Sequence, residues 1–280
     1  MPRSQATHPT VAILTDFGYR DHYVGVMKGV IASICPRAVT IDITHGIPPQ
    51  QVFAGALALR ESFSFFPRRT VFLAVVDPGV GTDRKAIAVE TASGFRFVGP
   101  DNGLLWLAAA QAQIKKIVEL TEPRYRLPKV SASFHGRDIF APAAAWLSRG
   151  VRIEQLGRRL ESMIRLDPLT SVIEKPNQLE GKVVYIDGFG NLITNISRAT
   201  FERFAGQFRQ CRLSVRIQRC GPVPLHRTYA EAPRGAPLAL FGSFDLLEIA
   251  VRDGNAATHF GLGVGTRVSI RAAVTKSKLS

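Results

Sequence analysis

The first 150 residues alternate short apolar runs with amphipathic segments, and this constrains the fold more than any other feature. Segments 11–15 (VAILT), 39–43 (VTIDI) and 71–76 (VFLAVV) have strand length. The last is continuously apolar, as a strand covered on both faces is. Between them, 21–34 sets Tyr23, Val26, Met27, Val30, Ile31 and Ile34 at helical spacing and stops before Pro36, and 50–65 reads as a second helix stopping before Pro67. Segments 86–90 and 95–98 flank Ser93-Gly94 as a strand pair. A helix follows Asn102-Gly103 and another covers about 138–148. The alternation predicts an α/β N-terminal domain over 11–168 with a largely parallel sheet.

The texture changes after about residue 165. Segment 166–180 (LDPLTSVIEKPNQLE) has two prolines and little periodicity, so a linker is expected at 169–180. Strand-like runs follow at 182–187, 212–217, 237–241, 246–251 and 266–271, separated by turn residues. They predict a smaller all-β, barrel-like or sandwich C-terminal domain over 181–280. Residues 1–10 read as a disordered polar tail, without the apolar core of a secretory signal.

Charge and cysteines narrow the function classes. The 280 residues hold 36 Lys and Arg against 22 Asp and Glu, a net charge of +14. Such a balance suits a nucleic-acid binder, yet the basic residues are dispersed, with no run of five and few interleaved aromatics. Nucleic acid is therefore not the expected partner. No stretch of 18 apolar residues suggests a membrane span. Three scattered cysteines form no disulfide framework and no C-x-x-C pair, so a reducing cytoplasm is expected. No H-E-x-x-H, Walker loop, G-x-G-x-x-G or G-x-S-x-G motif is present, and no metal is expected.

Ligands of open parallel sheets bind at the carboxyl ends of strands. Asp16 follows the first strand in LTDFG, and Asp77 follows the 71–76 strand in VVDPGVG. Each can hold a ligand diol or a polar nucleophile, and each equally suits a turn cap. His135, in SFHGRD ahead of an apolar helix, reads as a general base, a partner for a bound water, or a satisfied structural imidazole. Asp138 there also suits a helix cap. In YIDGFGNLITN, Asp187 and Asn191 can hold a zwitterion or a base edge and Phe189 can stack on a ring; an Asx-rich hairpin explains the same residues. A fifth cluster is GSFDLLEIA, with Ser243 in its turn.

In order, these clusters resemble one family. LTDFG at 14–18, ITHGIPP at 43–49, VVDPGVGTDRK at 75–85, GPDNGLL at 99–105, FHGRDIFAP at 134–142, IDGFGNLITNI at 186–196 and LEIAVRDGNAA at 247–257 are similar to the adenosine-forming S-adenosyl-L-methionine (SAM) hydrolases, or SAM hydroxide adenosyltransferases. These are relatives of the SAM-dependent fluorinase and chlorinase. The resemblance runs from about residue 11 to 271. It implies hydrolysis of SAM to adenosine and L-methionine, with SAM as substrate and no cofactor. It also implies a homotrimer with sites between one subunit's N-domain and its neighbour's C-domain. By resemblance, Asp16 binds the ribose hydroxyls, and Asp77, Arg84 and His135 position and activate water. Asp187 and Asn191 lie around the methionine and nucleoside moieties, Phe189 belongs to the adenine pocket, and Ser243 contacts methionine. The halogenases carry Tyr at the position of Asp77 and Ser at that of Gly136, in an apolar pocket for a halide. An acid at residue 77 would repel an anion, so hydrolysis is expected over halogenation, with a non-catalytic SAM or adenosine binder as a further alternative. Two positions depart from the pattern. Gln50 stands where the halogenases have Trp, and Gly242-Ser243-Phe244-Asp245 replaces Asn-Ser-x-Gly. The Arg-rich segment 199–235 carries no motif.

Overall fold

The computed structural model describes residues 8–166, 173–208, 211–218 and 220–274. The chain divides into two compact units, Met1–Asp167 and Pro168–Ser280.

In the first unit the strands are β1 (Thr10–Thr15), β2 (Val39–Thr44), β3 (Val71–Val75), β4 (Ala86–Thr91), β5 (Arg96–Pro100), β6 (Ile114–Glu119) and β7 (Arg158–Leu160). They form one sheet in the order β2-β1-β3-β5-β4-β6-β7. The β2-β1-β3-β5 portion is parallel. The expected strand pair around Ser93-Gly94 is the antiparallel hairpin β4–β5, and β6 and β7 extend the sheet in the same antiparallel sense. The sheet is thus mixed, and its parallel part carries the strand ends that matter below.

The helices are α1 (Tyr23–Ile34), α2 (Val52–Phe63), α3 (Trp106–Gln111) and α4 (Ala141–Ser148). α1 buries Val24, Met27 and Ile31, one turn apart, and packs with α4 against Val11, Ile13, Val71, Leu73 and Val75. Strand side chains alternate between faces, so Ala12, Leu14, Phe72 and Ala74 point the other way. There α2 and α3 cover them, with Phe63 edge-on to Phe95 and Phe97, and Phe72 stacked on Phe97 at 5.1 Å. Both faces being covered is why β1 and β3 read as unbroken apolar runs.

The second unit holds β8 (Ile173–Lys175), β9 (Gln178–Ile186), β10 (Leu192–Ser197), α5 (Arg198–Gly206), β11 (Cys211–Ile217), β12 (Pro222–Val223), β13 (Pro237–Phe241), β14 (Leu246–Val251), α6 (Ala256–Phe260) and β15 (Arg267–Val274). Its eight strands are antiparallel in the order β12-β11-β15-β9-β10-β14-β13, with β8 on β9. The two ends of that order meet beyond β12. Ala239 N donates to Pro224 O at 2.8 Å and His226 N to Ala239 O at 2.8 Å, giving a nearly closed, barrel-like sheet. Leu179, Val183, Leu192, Ile196, Val215, Leu247, Ile249, Val268 and Ile270 fill it. Ser197 accepts from Thr200 N at 3.1 Å and so starts α5.

Two expected boundaries change. Residues 169–172 of the expected linker lie outside the described residues, whereas Ile173–Lys175 pairs with the start of β9 as a hairpin. The two prolines hid that hairpin. Residues 1–7 of the expected tail also lie outside the described residues, but Thr10 already belongs to β1 and Pro9 O accepts from Val39 N at 2.8 Å. Among the described residues no helix is long and apolar enough to cross a membrane.

Candidate active site

Asp16 and Asp77 follow the carboxyl ends of the adjacent parallel strands β1 and β3. The chain leaves β3 through Pro78-Gly79-Val80-Gly81 in tight turns, Val80 N donating to Asp77 O and Thr82 N to Gly79 O. This folds Arg84 back onto Asp77. Arg84 Nε donates to Asp77 Oδ1 at 2.9 Å and Arg84 Nη2 to Asp77 Oδ2 at 2.5 Å, a bidentate fork. The pair is nearly buried, with the Asp77 side chain 6% and that of Arg84 10% exposed. Phe140 lies under the guanidinium, 5.2 Å from ring centre to Cζ.

His135 reaches the same guanidinium from the opposite segment, its Nδ1 2.8 Å from Arg84 Nη2. Gly81 brings the two segments together. It has φ +81°, and a Cβ there would stand 2.6 Å from Ala132 O. His135 opens a wide π turn, Gly136–Phe140, that leads into α4. Burial and then the Arg84 charge hold the His135 imidazole below its usual range, with Asp77 and Asp138 opposing. Gly136 packs tightly, a Cβ there meeting Met27 Sδ and Phe134 at 3.3 Å.

Asp138 is not a helix cap. Its Oδ2 accepts from Ser131 N and Ser131 Oγ, both at 2.8 Å, and Arg137 pairs with it, so it closes the 131–138 segment that presents His135. Burial raises its pKa, but the bonds from Arg137 and Ser131 outweigh that and leave it low. Asp16 points its Oδ2 at the main chain of the next loop, accepting from Gln50 N at 2.8 Å, with Gln50 at φ 65°. Thus it is the backbone of Gln50, not its side chain, that meets Asp16.

A polar chain missed at the sequence level lies behind Asp16. Thr15 Oγ1 and His45 Nδ1 are 2.8 Å apart, His45 Nε2 stands 3.1 Å from Asp42 Oδ1, and Lys28 Nζ donates to Asp42 Oδ2 at 2.7 Å. Thr15 and His45 are fully buried, and the His45 carbonyl accepts from Gly18 N at 2.8 Å. These bonds tie the loops after β1 and β2 together. Only ITHG after the second strand hinted at them.

In the second unit, Asp187, Phe189 and Asn191 share the turn between β9 and β10. Asp187 Oδ1 accepts from Phe189 N and Asn191 N, and Oδ2 from Asn191 Nδ2, each at 2.9 Å. The Asx-rich hairpin is therefore real, and it leaves Phe189 80% exposed at its tip. Gly190 (φ +84°) packs against the Asn255 side chain, which caps α6 by accepting from Thr258 N at 2.8 Å; a Cβ at residue 190 would collide with it. Ser243 is exposed in a different turn, between β13 and β14. Beneath that turn Tyr229, from the Arg-rich segment without a motif, donates its hydroxyl to the buried Glu248. Burial raises the Glu248 carboxyl, the Tyr229 bond opposes this, and the Asp187 charge adds to it. Among the described residues no group of three or more His, Cys, Asp or Glu is placed to hold a metal ion.

Comparison with known proteins identifies the family. Residues 11–157 match the SAM hydroxide adenosyltransferase N-terminal domain and residues 181–269 its C-terminal domain. The chain is 42% identical over 270 residues to the (R)-S-adenosyl-L-methionine hydrolase of Thermus thermophilus, spanning 93% of this chain and 98% of that one. A fluorinase of Nocardia brasiliensis is more distant, 27% identical over 298 residues, spanning 97% and 99%. The crystal structure of an uncharacterized conserved protein from Thermotoga maritima superposes with a TM-score of 0.85 at 37% identity, over 93% of this chain and 99% of that one. The chain belongs to the SAM hydroxide adenosyltransferase family.

Proposed function

We propose that this protein hydrolyses S-adenosyl-L-methionine to adenosine and L-methionine, with Asp77, Arg84 and His135 handling the water. The observation that carries the reading is the convergence of a carboxylate, a guanidinium and an imidazole at the end of β3. The sulfonium of SAM is a good leaving group, so no acid is needed at sulfur. What the protein supplies is one water aligned opposite the C5′–S bond and an acceptor for its proton. The water oxygen bonds to C5′, the C5′–S electron pair returns to sulfur, and the proton goes to the enzyme.

A guanidinium has no acceptor, so His135 Nδ1 accepts from Arg84 and its ring proton sits on Nε2. Nε2–H then orients the water, and the Asp77 carboxylate, held in place by the Arg84 fork, takes the proton. Asp16 holds the ribose hydroxyls. Asp187 and Asn191 recognise the methionine and nucleoside parts, Phe189 stacks on adenine and Ser243 contacts methionine. The reading takes the enzyme as a cytoplasmic homotrimer needing no cofactor, with sites at subunit interfaces. Halogenation fits less well, because a carboxylate at residue 77 would repel a halide.

Chromatography of the protein incubated with SAM, with and without chloride or fluoride, tests the reading. Equal adenosine and methionine, unaffected by halide or chelator, is expected. A halide-dependent 5′-halo-5′-deoxyadenosine, or SAM binding without product, would overturn it. Sedimentation equilibrium tests the trimer.

A further inference from the structure

The loop 76–85 carries Asp77 near one end and Arg84 near the other, and a single dipeptide holds both legs. Asn102 Nδ2 donates at 2.8 Å to the carbonyl of Val76, the residue before Asp77. Its neighbour Asp101 donates its main-chain N–H at 2.9 Å to the carbonyl of Lys85, the residue after Arg84. The other end of the Asn102 amide is also used, Oδ1 accepting from Leu104 N at 3.1 Å.

The strap is itself anchored. The buried Asp101 carboxylate accepts from Ile164 N at 2.7 Å. Gly103 has φ +91° and lies against Leu166, where a Cβ would collide. Gly99, at the end of β5, lies so close to Ala74 O of β3 that a Cβ would overlap it. The strap therefore sits on the end of β3, where the chain turns toward Asp77. Val76 is fully buried, so removing the amide takes a hydrogen bond from a carbonyl that the intact fold keeps away from bulk water.

We propose that Asn102 is a positioning residue for water activation, fixing where Asp77 and Arg84 stand relative to His135. This rests on the reading of those three residues given above. Both ends of the Asn102 amide are bonded within the protein, so its effect is exerted through the chain and not on the substrate. It acts through Val76, and a displacement of about 1 Å in such a group is enough to cost on the order of 10²-fold in rate. The alternative is a purely local role, since Oδ1 bonded to Leu104 N makes an Asx turn. The two roles differ in chemistry. A turn needs only an acceptor, which Ser or Asp supplies. Holding the Val76 carbonyl needs a donor that reaches it, which neither supplies.

The test measures kcat, KM for SAM and thermal midpoint for Asn102→Ala, Asn102→Ser and Asn102→Asp, with Asp77→Ala alongside. All three Asn102 variants are expected to lose kcat by about 10–100-fold with KM held within about threefold. Asn102→Ser is neutral, so its loss is not a charge effect on Asp77, and it remains informative should Asn102→Ala fail to fold. Recovery of kcat in Asn102→Ser or Asn102→Asp would overturn the proposal in favour of the turn alone. So would unchanged kcat in Asn102→Ala, or a raised KM at unchanged kcat. If Asp77→Ala also keeps full turnover, the assignment of the water-activating set fails instead.

Discussion

Arg84 Nη2 stands 2.8 Å from His135 Nδ1, and the contact fixes the state of the imidazole. The guanidinium only donates, so the ring must accept through Nδ1 and is neutral. A second proton would turn that nitrogen into a donor facing a cation. Burial, then Arg84, lower the His135 pKa for the same reason.

The sign of the pH dependence follows. Free imidazole takes its proton near pH 6.5, and folded His135 only at lower pH. Turnover is expected to stay level from about pH 8 to about pH 6.5 and to fall below that. In the same acid interval the unfolded chain binds the proton first, so stability is lost as the pH is lowered there. His135→Gln should flatten that part of the stability curve. A pH–rate profile with its acid midpoint above 6.5, or a rate that rises on acidification, would contradict this.

Asp77 and Arg84 act as a fork. Asp77→Asn keeps the shape but removes the charged acceptor, and kcat is expected to fall about 10²–10⁴-fold with KM little changed. Arg84→Lys keeps the charge but loses the planar two-point contact and the Phe140 face, so it should also fail to sustain turnover. Steady-state kinetics read both. A fully active Arg84→Lys would mean that charge alone suffices.

Asp16 is expected to behave differently. A ribose hydroxyl bonded to its carboxylate is held in ground and transition state alike. Asp16→Ala should therefore raise KM by about 10–100-fold, the equivalent of a charged hydrogen bond, and leave kcat within a few-fold. Loss confined to kcat would remove Asp16 from substrate binding.

Glu248 gives a stability test in the second unit. Burial and the Asp187 charge raise its pKa despite the Tyr229 hydrogen bond. An unfolded glutamate ionises near pH 4.3 and the folded one only higher, so the folded state loses stability as pH rises through that interval. Glu248→Gln still accepts from Tyr229 and carries no charge. It should melt like the parent near pH 4 and higher at pH 8, and calorimetry showing the reverse would refute a raised carboxyl.

Strand and helix periodicity exposed β1, β3, β13 and β14 because buried parallel strands are continuously apolar and turn residues bound the antiparallel ones. It also flagged Asp16 and Asp77, each being the first polar group past such a strand. β6 is hidden because Lys115 and Lys116 interrupt its pattern; α5, whose Phe201 and Phe204 stand at helical spacing with Phe208 just beyond its end, is short and lies inside the Arg-rich segment without a motif. The contacts that shape the candidate site are harder to read. Asn102 meets Val76, His45 meets Thr15 and Tyr229 meets Glu248 across long loops, through single hydrogen bonds that leave no periodic trace. Motif order found the loops that hold Asn102 and His45 without saying what either does, and Tyr229 lies in a segment with no motif at all.

The central claim, that water held at Asp77, Arg84 and His135 attacks C5′ directly, is tested by one turnover in oxygen-18 water with enzyme in excess over SAM. Mass spectrometry of the products should find the label in the 5′-hydroxyl of adenosine, none in methionine and none in the Asp77 carboxylate. Asp77→Asn should form almost no labelled adenosine in the same time. Unlabelled adenosine with oxygen-18 in Asp77 would mean that the carboxylate itself attacks C5′, and full-rate labelling by Asp77→Asn would mean that water is activated elsewhere.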